Sequence, residues 1–581
     1  MTVASEGPGF CLREVPFSFF GSWLDLSYVI AERTVAEDVH LVSHQTGFHP
    51  VLRLVPVMAG DRVEVSVGAT PARLRWEHER GWIEAVFETA DTLRVAGQGL
   101  GLSLLASGPE LTAFTGSYFF RDPTTGAYVF TSYETGRRYR VTVLHGSRAI
   151  AIGAQSLGEA ERGLVIGAEP GDWEVAVEEL GTARSPYRPE RNFDEVRIRA
   201  ARAFGGFLDA VAPWRDATTP AAALAAYVLW SATVHPAGML RRTSVLMSKH
   251  WMDKVWSWDH CFNALALTGL PELAWDQFRV PFDHQDPSGA LPDSVTHSEI
   301  LCNFVKPPVH GWALHRLRAC LSDPEPEDLR EIYRRMAGWT RFWLDARRTP
   351  SSGLAHYQHG NDSGWDNATT FDPERFIESA DLAAFLVLQL DELAVLATAL
   401  ALPDEAADWD RASQAMMTTM IGRLWDGERF VARGVESGRT WASSSLLDLM
   451  PIVLGERLPP EVRKRLVTRL ADHLTDHGLA TEDPDSIEYQ DDGYWRGPIW
   501  APATVLIEDG LRRAGEPDLA DGISDRFRNL CETSGFAENF DARSGAGLRD
   551  RAYTWTASAY LILAAAHRTR RAASANGPGA P

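Results

Sequence analysis

Cysteine is scarce in this 581-residue sequence, and no two cysteines are closely spaced: Cys11, Cys261, Cys302, Cys320 and Cys531 are scattered, with no CxxC pair. A disulfide frame and a thiolate zinc site are thereby excluded, and five reduced thiols suit a cytoplasm. Long basic runs are missing too. Lys and Arg number 57 against 78 Asp and Glu, a formal charge of −21, which argues against nucleic acid or an anionic membrane as partner. The most apolar segment, Leu382 to Leu402, is interrupted by Gln389, Asp391 and Glu392, so it reads as a buried helix and not a span. Residues Met1 to Pro8 lack the basic and apolar regions of a secretory leader. The pairs His356/His359 and His297/His310 have no neighbours at a spacing that selects a metal, so no metal site is expected.

Tryptophan is in excess. Of 20 Trp residues, Trp23, Trp76, Trp82 and Trp173 precede residue 195 and the other 16 follow it. The N-terminal part alternates apolar and polar residues with period two, at Val63–Val67, Leu74–Trp76, Tyr139–Val143 and Trp173–Val177. Short strands separated by Gly- and Pro-containing turns predict an antiparallel β-sandwich over residues 1–185. Gly97-Gln-Gly99-Leu-Gly101 lacks the third glycine spacing and the helix of a phosphate loop, so it reads as a bulge or turn. A linker is expected at 186–198, on the strength of the Pro-containing stretch Ser185–Asn192. From there to 570 the period is helical: Ile332, Met336, Trp339 and Trp343 share one stripe, and Pro460 suits a first helical turn. Helices apolar all round (Ala221–Val234, Leu382–Leu400, Ala557–Ala566) alternate with amphipathic ones (328–346, 403–424, 459–476). An inner ring touching core and neighbours, surrounded by an outer ring facing water, requires that alternation. The expected fold is an all-α (α/α)6 barrel over 199–570, with a disordered tail at 571–581.

Four polar, Trp-rich segments interrupt the helices. Asp362-Ser-Gly-Trp365-Asp366-Asn sets two carboxylates four residues apart around an indole. Burial against such a ring raises a carboxyl pKa and keeps it protonated near neutral pH. Trp256-Ser-Trp258-Asp259 precedes an apolar helix; the Trp-Asp pair either stacks a sugar ring and accepts from its hydroxyls, or is core with Asp259 as helix cap. Glu488 to Trp500 packs Tyr494, Trp495 and Trp500 around Arg496. Glu538 lies between two Phe residues, ahead of Tyr553-Thr-Trp555. Asp362 rivals Asp366 as an acid, with bracing the turn as its structural alternative, and Glu488 rivals Glu538 as a base.

In order and combination, Trp256-Ser-Trp-Asp259, Asp362-Ser-Gly-Trp-Asp366-Asn, Tyr494-Trp-Arg-Gly-Pro-Ile-Trp500 and Glu538-Asn-Phe with Tyr-Thr-Trp555 resemble glycoside hydrolase family 63, whose clan includes the trehalases. The resemblance covers roughly 200 to 570. It implies an (α/α)6 catalytic domain that hydrolyses an α-glycoside with inversion. Asp366 would be the general acid and Glu538 the general base. Trp258, Asp259 and Trp365 would line the sugar subsite, and Arg496 and Trp500 would border the leaving group. Trp256, Asp362, Tyr494, Trp495 and Trp555 complete the expected sugar contacts. One departure stands out: the clan usually has Gln-Pro-Pro where this chain has Lys306-Pro307-Pro308. That cation either meets an anionic aglycone or pairs with an active-site carboxylate.

The chemistry is consistent in itself. Inversion needs a protonated carboxyl at the leaving oxygen and an ionised one holding water on the opposite face, about 6.5–9.5 Å away. Two carboxylates suffice for the proton transfers, so no cofactor is expected. The expected substrate is a small α-glucoside or oligosaccharide. Three alternatives remain: a phosphorylase with a basic pocket beside Glu538, for which Lys306 and Arg496 are the candidates; an isomerase with a central His pair; and a non-catalytic carbohydrate binder. The sequence sets no oligomeric state.

Overall fold

The structure, a computed structural model, describes residues 6–31, 34–146, 149–167 and 171–575. Residues 1–5, part of the segment read for a leader, and 576–581 of the expected tail lie outside the described residues. By internal contacts the chain divides into two units.

The first unit holds residues up to Pro213 together with 226–254 and 296–298, a division that the sequence-based boundary at 186–198 does not anticipate. Its strands form two eight-stranded antiparallel sheets. One runs through Leu24–Ala31, Thr34–Ser43, His49–Met58 and Gly101–Ala106; the other through Arg138–His145, Asp172–Leu180, Thr92–Gln98 and Gly81–Thr89. Alternating residues of both sheets fill one core, with Trp76, Trp173, Phe119, Phe130 and Tyr139 as its largest members. Three of the expected strands lie inside longer ones. The fourth, Val63–Val67, is interrupted, since pairing stops after Arg62 and resumes at Ser66. Gly97 to Gly101 joins two strands through Gly99 at φ +71°. The linker is shorter than expected: a helix starts at Phe193, because Asn192 and Glu195 cap each other's backbone N–H groups reciprocally.

The second unit is helical. Six segments contact one another in closed succession: His260–Ala266, His310–Cys320, Ala380–Ala399, Leu446–Arg457, Ala501–Arg513 and Thr554–Ala575. Pro271–Arg279, Pro326–Arg341, Pro403–Leu424, Pro460–Leu470 and Pro517–Ser534 pack on members of that ring. Each of these five opens on proline, where the fixed φ suits the helix and the missing N–H would have had no partner. The Ile332, Met336, Trp339 and Trp343 stripe is buried as expected. Ala380–Ala399 is long and apolar enough to cross a membrane but belongs to the ring. Its polar residues are all occupied: Gln389 donates to Thr340 Oγ1 and accepts from Gly311 N–H, while Asp391 pairs with Arg457 and Glu392 with Arg318. The last helix runs to Ala575, so residues 571–575 of the expected tail are ordered.

Candidate active site

The Asp366 turn is built from its glycines. Gly360–Ser363 is one 3-10 turn, capped by His359, whose ring accepts from Asn361 N–H at 3.1 Å. Gly364 follows at φ +72°, and a Cβ there would overlap the Trp258 indole. A Cβ on Gly360 would overlap the Asp366 carbonyl oxygen. Only glycine lets the turn fold against Trp258 with Asp366 directed past it. Beyond Asp366, the Asn367 side chain donates to Gly493 O at 3.0 Å and accepts from Trp495 N–H at 3.0 Å. Asn367→Ala removes both bonds. We expect a loss of about 1 kcal/mol in stability and a fall in turnover, read by thermal melting and initial rates; wild-type values for both would contradict this clamp.

The aromatic residues of four segments form one continuous wall. Trp365 packs on Trp495 (4.6 Å between centroids), Trp495 stacks on Trp500 (4.1 Å, 6° between planes), Trp500 meets Trp555 (6.1 Å) and Trp555 meets Trp258 edge-on (4.8 Å). Trp500 Nε1 donates to the Tyr494 carbonyl at 2.8 Å. These five tryptophans are buried, whereas Trp256 and Tyr494 are partly exposed. Tyr494 holds a left-handed backbone at φ +64°, a conformation that costs a non-glycine residue about 1–3 kcal/mol and clusters at functional sites. The Arg549 guanidinium lies 4.9 Å from the Tyr494 ring centroid.

Four acids converge on this wall. Asp259 occupies the N-cap position of its helix but makes no capping bond, and its buried Oδ2 has no hydrogen-bond partner among the described residues. The helix-cap alternative therefore fails. Burial pushes the Asp259 pKa up to about 8, the Lys306 charge opposes this, and Asp293 and Asp366 add to it. Asp366 is raised by burial first, lowered by Lys306 and raised again by Asp293. Glu538 is pushed up to about 8 by burial, then by Asp550 and Asp366, with Arg549 opposing. Asp366 and Glu538 thus feel each other's charge. The Tyr494 hydroxyl feels both, and Asp259 as well, and stays protonated. The expectation that Asp366 is the raised, protonated one of the pair is corrected: Glu538 is raised too, because it is the more deeply buried of the two.

Other expected contacts are otherwise engaged. Asp362 braces the turn: its carboxylate accepts from Val305 N–H (3.2 Å), Gln358 N–H (2.9 Å) and Arg347 (2.8 Å). Buried and held by these three donors, it serves as a brace and not as a free rival to Asp366. Arg496 is likewise committed, donating to Asn367 O at 2.7 Å and Asp372 at 2.6 Å; it clamps loops together. Lys306 takes the second of its two possible roles, pairing with the Asp293 carboxylate at 3.1 Å. Glu488 is exposed and 3.8 Å from Arg496, apart from the converging acids. Sequence reasoning missed Asp293 and Arg549. Asp293 in Leu-Pro-Asp-Ser looks like an ordinary turn residue, and only the Lys306 contact distinguishes it.

A cavity of about 520 Å³ lies elsewhere, among His310–Cys320, Ala380–Ala399, Leu446–Arg457 and Ala501–Arg513. Its buried acids Asp509 and Glu392 are held by Arg316 and Arg513, and by Arg318, so it offers no proton-transfer pair. Among the described residues, no group of three His, Cys, Asp or Glu side chains is arranged to hold a metal ion.

Residues 252–556 match the mannosylglycerate hydrolase MGH1-like glycoside hydrolase domain. A mannosylglycerate hydrolase of Rubrobacter radiotolerans is 24% identical over 401 residues, covering 53% of this chain and 89% of the relative. One from Thermus thermophilus is 22% identical over 392 residues, covering 53% and 93%. Among solved structures, a family 63 mannosylglycerate hydrolase of Thermus thermophilus in complex with glucose aligns with a TM-score of 0.52 at 22% identity, over 59% of this chain and 99% of that one. A bacterial glucoamylase complexed with acarbose aligns with a TM-score of 0.63 at 12% identity, over 97% and 96%. The two structural likenesses show the fold: antiparallel sheets followed by a six-hairpin helical barrel.

Proposed function

The chain belongs to the mannosylglycerate hydrolase MGH1-like group of glycoside hydrolases, within the inverting family 63, and on that premise we propose that it hydrolyses a small α-linked glycoside with Asp366 as general acid and Glu538 as general base. The observation that carries this reading is the half-buried Asp366, on the turn whose Trp365 packs on Trp495, acting on the buried Glu538 from a distant part of the chain. Asp366 protonates the leaving oxygen. Glu538 takes a proton from water attacking the opposite face of the ring. Asp259, with an unspent carboxylate oxygen, accepts from glycone hydroxyls, and Trp258 and Trp365 form the glycone wall. An α-glucoside is the first substrate we propose, and the mannosylglycerate named for the relatives is the second. With five unpaired thiols, the cytoplasm is the compartment we propose. The phosphorylase alternative loses its support, since Lys306 and Arg496 are both already paired.

The test is a panel of α-glucosides and α-mannosides, mannosylglycerate included, with proton NMR of the anomer released first. The β-anomer is expected. Initial release of the α-anomer, or no turnover across the panel, overturns the reading. The pH profile of kcat/KM should be bell-shaped with a limb near pH 8, where Glu538 titrates; a profile flat between about pH 5 and 9 contradicts it.

A further inference from the structure

Lys306 is buried, and a buried ammonium is retained only where its charge and its N–H groups are answered. Three answers are visible. Nζ lies 3.1 Å from Asp293 Oδ1, donates to the Asn361 carbonyl at 2.9 Å, and sits 5.2 Å from the centroid of the Trp256 ring. The preceding residue makes a second attachment to the same turn, Val305 N–H donating to Asp362 Oδ1 at 3.2 Å. Pro307 follows at once and restricts Lys306 to an extended backbone, so the side chain projects from a stiff segment. The Gly360–Ser363 turn is therefore grasped twice from one side, just ahead of Asp366, while Asn367 anchors it on the other.

We propose that Lys306 and Asp293 form a charge-balanced pin that seats the Asp366 turn against the glycone wall and sets how much negative charge surrounds Asp366. The inference rests on the reading of Asp366 as the acid. Asp366 faces Lys306, Asp293 and His359, and also Asp259, Glu538 and the neutral Tyr494 hydroxyl. Acidic groups outnumber cations in that set. Without the ammonium, Asp259 and Asp366 would lose the cation that favours their ionised forms. Lys306 has the larger influence on Asp366 and Asp293 a smaller, opposite one. Lys306 is thus a positioning residue, acting on the proton-donating group without touching substrate.

The test compares pH profiles of kcat/KM for wild type, Asp293→Asn, Lys306→Gln/Asp293→Asn and Asp366→Asn, each first shown to be folded by circular dichroism. In Asp293→Asn the ammonium is unopposed, and the limb set by Asp366, distinct from the Glu538 limb near pH 8, should move to lower pH by about 1 unit. In the double variant both charges are gone; because the pull of Lys306 outweighs the push of Asp293, the limb should move above its wild-type position. Either comparison suffices if one variant does not fold. A limb that stays in place, or moves the same way in both, overturns the pin. Retained turnover in Asp366→Asn overturns the assignment of the acid instead, so the two failures are distinguishable.

Discussion

Asp366→Asn and Glu538→Gln are each expected to lower kcat by at least about 100-fold, the usual contribution of a positioned acid or base, while the protein stays folded. Both substitutions preserve shape and remove a titratable proton. Their effect on stability should have the opposite sign. Glu538 titrates near 8 when folded against an ordinary 4.5, so between those values the unfolded chain ionises and the folded chain does not. The folded state is therefore penalised progressively as pH rises from 4.5 to 8. A neutral glutamine escapes this penalty, and Glu538→Gln should melt higher than wild type at about pH 8 and show a smaller difference at about pH 4. Asp259→Asn should behave likewise, since Asp259 is raised to about 8. A stabilised, inactive enzyme is what a functional buried carboxylate predicts. Thermal melting at the two pH values, with initial rates on the best substrate of the panel, checks both statements. Near-normal rates in both catalytic variants would remove the assignment.

Gly364→Ala should be nearly as damaging, although it touches no proton. Gly364 has φ +72°, and its missing Cβ is where the Trp258 ring lies. Left-handed backbone costs an L-residue about 1–2 kcal/mol, and overpacking against a ring held by Trp555 adds about 1–3 kcal/mol. The sum is about 2–5 kcal/mol, a large part of the stability of an ordinary domain. Trp258 precedes Asp259 and cannot yield without moving it, so kcat/KM should fall at least tenfold in whatever protein folds. Gly422→Ala is the control. Gly422 is exposed in Pro403–Leu424 with no atom near its would-be Cβ, and alanine there should stabilise by about 0.5–1 kcal/mol. Equal effects at the two positions in urea titrations would show that the crowding at Gly364 is relieved at no cost.

How far the sequence could be read depended on whether the signal was local. Tyr139–Val143 and Trp173–Val177 betray their strands by alternation, and two ring helices, Ala380–Ala399 and Thr554–Ala575, betray theirs by the apolar runs within them; Ala222–Ala232 is as apolar but is not one of the six ring segments. The Asp366 turn is legible because its glycines and its carboxylate are neighbours in sequence. Proline at the first position of all five outer helices was equally local; reading Pro460 alone left the regularity unseen. Long-range pairing left no such mark. Nothing around Arg496 shows that Asp372 and Asn367 O will occupy it, so its place in a Trp-rich loop suggested a sugar contact. Lys306 was visible as an isolated cation, but its partner Asp293 lies in a different loop and looks like a turn residue. Asp362 was the harder case, because a carboxylate four residues from the acid suits bracing and catalysis alike. Only its three donors decide for bracing.

The most direct measurement is a crystal structure with a non-hydrolysable glycoside bound at the Trp258–Asp259 wall. The carboxyl groups of Asp366 and Glu538 should lie on opposite faces of the anomeric carbon, about 6.5–9.5 Å apart, with a water molecule held by Glu538. A separation near about 5 Å would indicate a covalent, retaining route, and a glycoside seated away from either carboxylate would contradict the account altogether.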